Sequence, residues 1–207
     1  RYVVDYLVTE VLQQQDDTTQ DFLLKTSILD ILEAGICDHL TGHDNSHAML
    51  DKINSANLFL IPLDNRRQTY RYHHLFAELL RHQLRIRYGD AHINRLHQQA
   101  SDWYHQQGDA MSAVHHALQT RDYQQVADLI SHYRHQFLTT GEWHTMARLM
   151  GQLPKKELEY RKDLMVARAW EMLSTAKMQD LVTYLEELTP QLDDPHLISE
   201  AAIIKGY

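Results

Sequence analysis

Between residues 44 and 81 the apolar positions change period twice. Met49, Leu50, Ile53 and Ala56 recur at the spacing that lines one face of a helix, with Asp44 or Asn45 able to cap its start and Asn57 suited to a left-handed stop. Residues 58–61 then form a short unbroken apolar run, as expected of a buried strand, and residues 64–67 a polar turn. In residues 69–73 the alternation puts Tyr70 and Tyr72 on one face and Thr69, Arg71 and His73 on the other, which predicts a returning strand. A further helix starts at His74. Helix, strand, turn, strand, helix is the order of a winged-helix domain.

Upstream, the pattern predicts helices over about residues 3–14 and 18–32, with Asp17 and Gln20 spaced as a capping box. A boundary is expected near Tyr88, Gly89 and Asp90, and beyond it every apolar stripe is helical. Ile93, Leu96, Ala100, Trp103 and Tyr104 make one stripe; Met111, Val114, Ala117 and Leu118 make the next. Val126, Ile130, Tyr133 and Phe137 follow, then Trp143, Met146, Met150 and Leu153, then Val166, Ala167, Trp170 and Leu173, then Leu181, Tyr184, Leu185 and Leu188. Trp103, Trp143 and Trp170 lie on or near these stripes and are expected to be mostly buried.

Short turns fall at Gly108, Gly141 and Ala176, at intervals of 141 − 108 = 33 and 176 − 141 = 35 residues, against the ~34 of a tetratricopeptide unit. Asp122, Pro154 and Pro190 mark the ends of the second helices, and Asp194 with Pro195 supplies a cap and first-turn proline for another helix. The expected fold is therefore mainly α: a helical segment plus winged-helix domain with a small β-hairpin over residues 1–88, followed by a TPR-like helical repeat array over residues 89–207. A stack of this kind offers a concave surface to a ligand or partner.

Composition narrows the function. The 207 residues are 43 % hydrophobic, carry a formal charge of −8 and contain one cysteine, Cys37. No internal disulfide is possible, which suits a reducing, cytoplasmic setting. No apolar run approaches the roughly 18 residues needed to cross a bilayer, so no membrane role is expected. An acidic chain opposes a phosphate-binding surface, and no direct nucleic-acid contact is expected.

Fifteen histidines invite a metal reading. His39, His43 and His47 are spaced by four, but Thr41 and Gly42 interrupt any helix between the first two, and no further ligands complete a tetrahedral set. His115, His116, His132 and His135 are expected to face solvent, and Cys37 to be a small buried thiol. No nucleophile or paired acid and base stands out, so no catalytic residue is expected. There is no G-x-x-x-x-G-K-[ST] loop, and the seven glycines are too scattered to cradle a phosphate.

Several phrases carry a family resemblance: residues 5–11 (DYLVTEV), 21–29 (DFLLKTSIL), 58–64 (LFLIPLD) and 70–76 (YRYHHLF), then 100–104 (ASDWY) and 113–118 (AVHHAL). Together they resemble the MalT-like large ATP-binding regulators of the LuxR family, the STAND ATPase activators, along nearly the whole chain. The resemblance implies an internal fragment, since the chain starts without Met and ends inside a helical pattern. It implies an upstream nucleotide-binding domain and downstream regulatory and DNA-binding domains as partners, with an inducer or protein partner on the repeats. ATP or ADP then belongs to the full-length protein, and no cofactor to this segment. In related nucleotide switches a winged-helix histidine touches the ADP phosphate in the resting state. The resemblance puts that role on His73, the first of the histidine pair; the competing reading is that His73 only caps or packs the next helix.

Two other functions compete with a coupling segment. A DNA-binding winged helix would present cations on its second helix, whereas His47, Asp51, Lys52 and Asn54 there are close to neutral, and Arg66, Arg67 and Arg71 make the only basic cluster. A stand-alone TPR-like interaction scaffold is the other.

Overall fold

A computed structural model describes residues 11–175 and 178–206, the side chains of Trp143 and Ser174 excepted. The helix expected over residues 3–14 falls mostly outside these residues, as do the turn at Ala176 and the burial of Trp143. The chain forms two compact units, residues 1–108 and 109–207.

In the first unit α1 spans Asp17–Thr26. Its cap is Asp16, one residue before the expected Asp17, whose carboxylate accepts from the Thr19 amide at 2.8 Å. Gln20 does not close a capping box; its amide donates to the Gln15 carbonyl. The helix also ends six residues before the expected Leu32. The Thr26 hydroxyl donates back to the Phe22 carbonyl and the Ser27 hydroxyl to that of Leu24, and these local bonds compete with helix continuation.

The chain then enters β1, Leu32–Glu33, and α2, Ala34–Thr41, which Gly42 stops at φ 76°. Neither element was expected. Next come α3, Ser46–Ser55; β2, Leu60–Pro62; β3, Thr69–Tyr72; α4, His74–Tyr88; and α5, Asp90–Gln107. The sheet is antiparallel in the order β1-β3-β2, pairing Leu32 with Tyr70 and Leu60 with Tyr72. All four of those side chains are buried, on Phe22, Ile36, Leu50, Ile53, Phe76 and Leu80. Within this core the Tyr72 and Thr26 hydroxyls lie 2.8 Å apart.

α5, assigned to the repeats by its sequence pattern, packs on α2 and α4 of the first unit. Leu96 and Ala100 are buried there, and the Trp103 ring lies over Gly35: a Cβ at Gly35 would come 3.2 Å from its Cζ2. Trp103 is half-buried, less than its stripe implied.

The second unit is helical: α6, Ala110–Thr120; α7, Tyr123–Thr139; α8, Trp143–Met150; α9, Lys155–Leu158; α10, Lys162–Ser174; α11, Met178–Leu188; and α12, Pro195–Lys205. Asp109, Asp122 and Asp194 cap α6, α7 and α12 with their carboxylates, and Gly108 and Gly141 take φ near 76°. Val126, Ile130, Tyr133 and Phe137 are buried as their stripe implied, in one cluster with Met146, Met150, Leu153 and Ala167. Leu181, Leu185 and Leu188 form a second cluster with Val166 and Ala201. Trp170 is half-buried and donates its indole N–H to Glu200 at 2.7 Å, and both oxygens of that carboxylate lie 2.7 Å from Arg134, tying α7, α10 and α12 together.

Candidate functional site

The candidate residue His73 follows β3 and occupies the N-cap of α4. Its backbone is fully used: the amide donates to the Phe59 carbonyl at 2.8 Å, and its carbonyl accepts from the Phe76 and Ala77 amides at 2.9 Å each. Its imidazole makes no capping bond to α4. The ring is half-buried and lies 4.6 Å from that of His74, which is exposed. Strand alternation holds around it, with Tyr70 and Tyr72 inward, Arg71 exposed and Thr69 half-buried. The helix behind His73 has 15 residues, so the imidazole stands at the positive end of a long row of peptide dipoles.

Phe59 is the neighbour that sequence reasoning missed. Residues 58–61 read as one strand, but Asn57 and Phe59 both have positive φ, 53° and 54°. A bulky residue is seldom found there. The conformation carries the Phe59 ring to 5.5 Å from buried Phe76 and its carbonyl to the His73 amide. No local signal marks it, because the kink follows from long-range contacts.

Nearby, the turn between β2 and β3 is organised by Asp64. Its carboxylate accepts from the amides of Arg66, Gln68 and Thr69 and from the Thr69 hydroxyl. The Thr69 hydroxyl bond, reinforced by those amides, holds the carboxyl at about 2 against an ordinary 3.8. Arg66, Arg67 and Arg71 are exposed, and none forms an ion pair among the described residues.

The charged side chains of α3 have partners within the chain. Lys52 lies 2.8 Å from the Asp16 carboxylate and also donates to the Thr19 hydroxyl, and His47 stands 3.3 Å from Asp51. Asp51 also accepts from the Tyr70 hydroxyl. His39 and His43 are exposed, and among the described residues no three His, Cys, Asp or Glu side chains are placed to hold a metal. Cys37 is fully buried, which drives its thiol pKa well above the usual range. Of the other histidines, His132 and His135 are exposed, but His116 is 4 % exposed: its position on α6 turns it inward beside Ala113 and Ala117. Among the described residues no helix is long and apolar enough to cross a membrane.

Comparison with known proteins matches this geometry. Residues 8–92 fit the family model of the MalT winged helix domain. The HTH-type transcriptional regulator MalT of Vibrio cholerae is 30 % identical over 188 residues, 91 % of this chain and 21 % of that protein. The MalT regulators of Klebsiella pneumoniae and Vibrio campbellii are each 28 % identical, over 93 % and 98 % of this chain. The chain spans about a fifth of the length of these curated relatives. It carries a winged helix domain that matches the MalT model and is similar, over most of its length, to the MalT transcriptional regulators.

Proposed function

We propose that this chain is the coupling segment of a signal-responsive, ATP-dependent regulator of the LuxR family. In this reading the winged helix packs on a nucleotide-binding domain elsewhere in the protein and reports whether ADP is bound. The helical hairpins after it form a TPR-like array that receives an inducer or a protein partner, and a separate domain binds DNA. The protein works in the cytoplasm.

The observation that carries this reading is the state of α3. In a winged-helix DNA reader the second helix presents free cations to the duplex. The lysine of α3 is instead held by Asp16, and its histidine stands beside Asp51. His73 supports the same reading, because an imidazole with no capping bond at a helix N-terminus suits an anion delivered by another domain. The competing reading, in which His73 caps α4, has no side-chain hydrogen bond behind it.

Titrating the chain with labelled ADP and with duplex DNA at low salt tests the proposal. A coupling segment binds neither. Submicromolar, salt-sensitive DNA binding would instead make the winged helix a reader.

A further inference from the structure

The two faces of the small sheet differ in an unexpected way. The inward face is the buried set Leu32, Leu60, Tyr70 and Tyr72. Ile61 is opposite Arg71 and Glu33 opposite Thr69, and the Leu63 amide donates to the Thr69 carbonyl. Continuing the β1 register places Ile31 beside Arg71 on its other side. The outward face thus runs from Ile31 across Arg71 to Ile61, with Leu63 at one end.

The first unit exposes a few large apolar side chains. Among the described residues of the unit these are Ile31 at 46 %, Phe59 at 38 %, Leu63 at 45 %, Leu75 at 48 % and Ile86 at 66 %. Ile31 and Leu63 belong to the face, beside half-buried Ile61; Phe59 turns its ring onto Phe76, and Leu75 and Ile86 lie on α4. Apolar side chains scattered singly need no explanation, but a contiguous group does.

We propose that the outward face of this sheet is a docking surface for an apolar protein surface with a carboxylate at its centre, supplied by another part of the same polypeptide. The relatives are more than four times as long as this chain, so such a surface has a source in the same molecule. Charge decides between occupants. Arg71 stands between Ile31 and Ile61, with Arg66 and Arg67 in the adjoining turn, and all three guanidinium groups are without an ion pair among the described residues. A second copy centred on Arg71 would set arginine against arginine, since the carboxylate of this face, Glu33, sits to one side opposite Thr69. A nucleic-acid backbone would leave the apolar groups against phosphate and water. A carboxylate within an apolar surface pairs with Arg71 while covering its neighbours. The proposal rests on the coupling reading and identifies the face through which that coupling passes.

Cysteine accessibility tests it. Cys37 is fully buried, so Ile31→Cys, Leu63→Cys and, as a reference, Ile86→Cys each add one reactive thiol. Maleimide labelling is followed by peptide mass in the 207-residue chain and in the full-length protein. The expected result is that Ile31→Cys and Leu63→Cys react roughly tenfold or more slowly in the full-length protein, as for a face covered in nine molecules of ten, while Ile86→Cys reacts alike in both. Adding Arg71→Glu restores fast labelling at Leu63→Cys. Equal labelling of Leu63→Cys in both proteins overturns the proposal, and so does protection within the short chain that grows with its concentration or with added duplex DNA. Unchanged protection after Arg71→Glu overturns the assigned chemistry of the occupant. Protection that persists in His73→Ala while ADP retention is unaltered removes the nucleotide role of His73 and keeps the docking face.

Discussion

The Lys52 ammonium lies 2.8 Å from the carboxylate of Asp16, which at the same time caps α1. One side chain therefore closes a helix and occupies the cation of α3. The Lys52 hydrogen bond is the largest of several that hold the Asp16 carboxyl far below its usual range. Asp16 thus stabilises the fold above the ordinary carboxylate range and loses that contribution as pH falls through its depressed value.

Lys52→Gln should raise the Asp16 carboxyl back toward its ordinary value without abolishing the cap, because the Thr19 amide still donates to it. A carboxyl-carbon NMR titration checks this. The accompanying loss of stability should be small and should shrink with added salt, since both groups are half exposed.

Trp103 fixes α5 to the winged helix through its contact with Gly35. Trp103→Ala should cost about 2 kcal/mol, less than a fully buried tryptophan, because the ring is only half-buried. Gly35→Ala gives the sharper test. With the tryptophan present, the new methyl group forces the ring to shift and offsets the gain in helix propensity; with Trp103→Ala the propensity gain of roughly 0.5–1 kcal/mol is left uncovered. A double-mutant cycle by urea denaturation should therefore show clear coupling.

Much of the fold was legible in the sequence because it is written in local periods. Tyr70 and Tyr72 announce an inward strand face by alternation, and Val126, Ile130, Tyr133 and Phe137 a buried helix face by spacing. What was missed depends on partners distant in sequence. Leu32–Glu33 is a strand only because Tyr70 and Thr69 pair with it, and residues 28–32 on their own continue an apolar helix. The bond between α5 and the winged helix rests on a glycine that Trp103 needs 68 positions away (103 − 35). The family phrase singled out His73, but nothing in the phrase disclosed the left-handed Phe59 that seats it.

The turn of the wing should loosen in acid. Asp64 titrates at about 2 in the folded chain against an ordinary 3.8. Its stabilisation of the turn is complete above the ordinary value and is lost as pH falls from there toward the folded value. Amide exchange at Arg66, Gln68 and Thr69 should accelerate across that window, and Asp64→Asn should remove the pH dependence. An unaltered profile in Asp64→Asn would assign the effect to another group.

Nucleotide retention by the full-length protein tests the coupling account most directly. His73→Ala should speed the release of ADP about tenfold and raise activity without inducer, because a charge-assisted hydrogen bond is worth roughly 1.5–3 kcal/mol and its loss shifts the population from the resting form. His74→Ala, one residue on and exposed, should leave release unchanged. Release that is the same in His73→Ala as in the unsubstituted protein, with the fold intact by circular dichroism, would contradict the account.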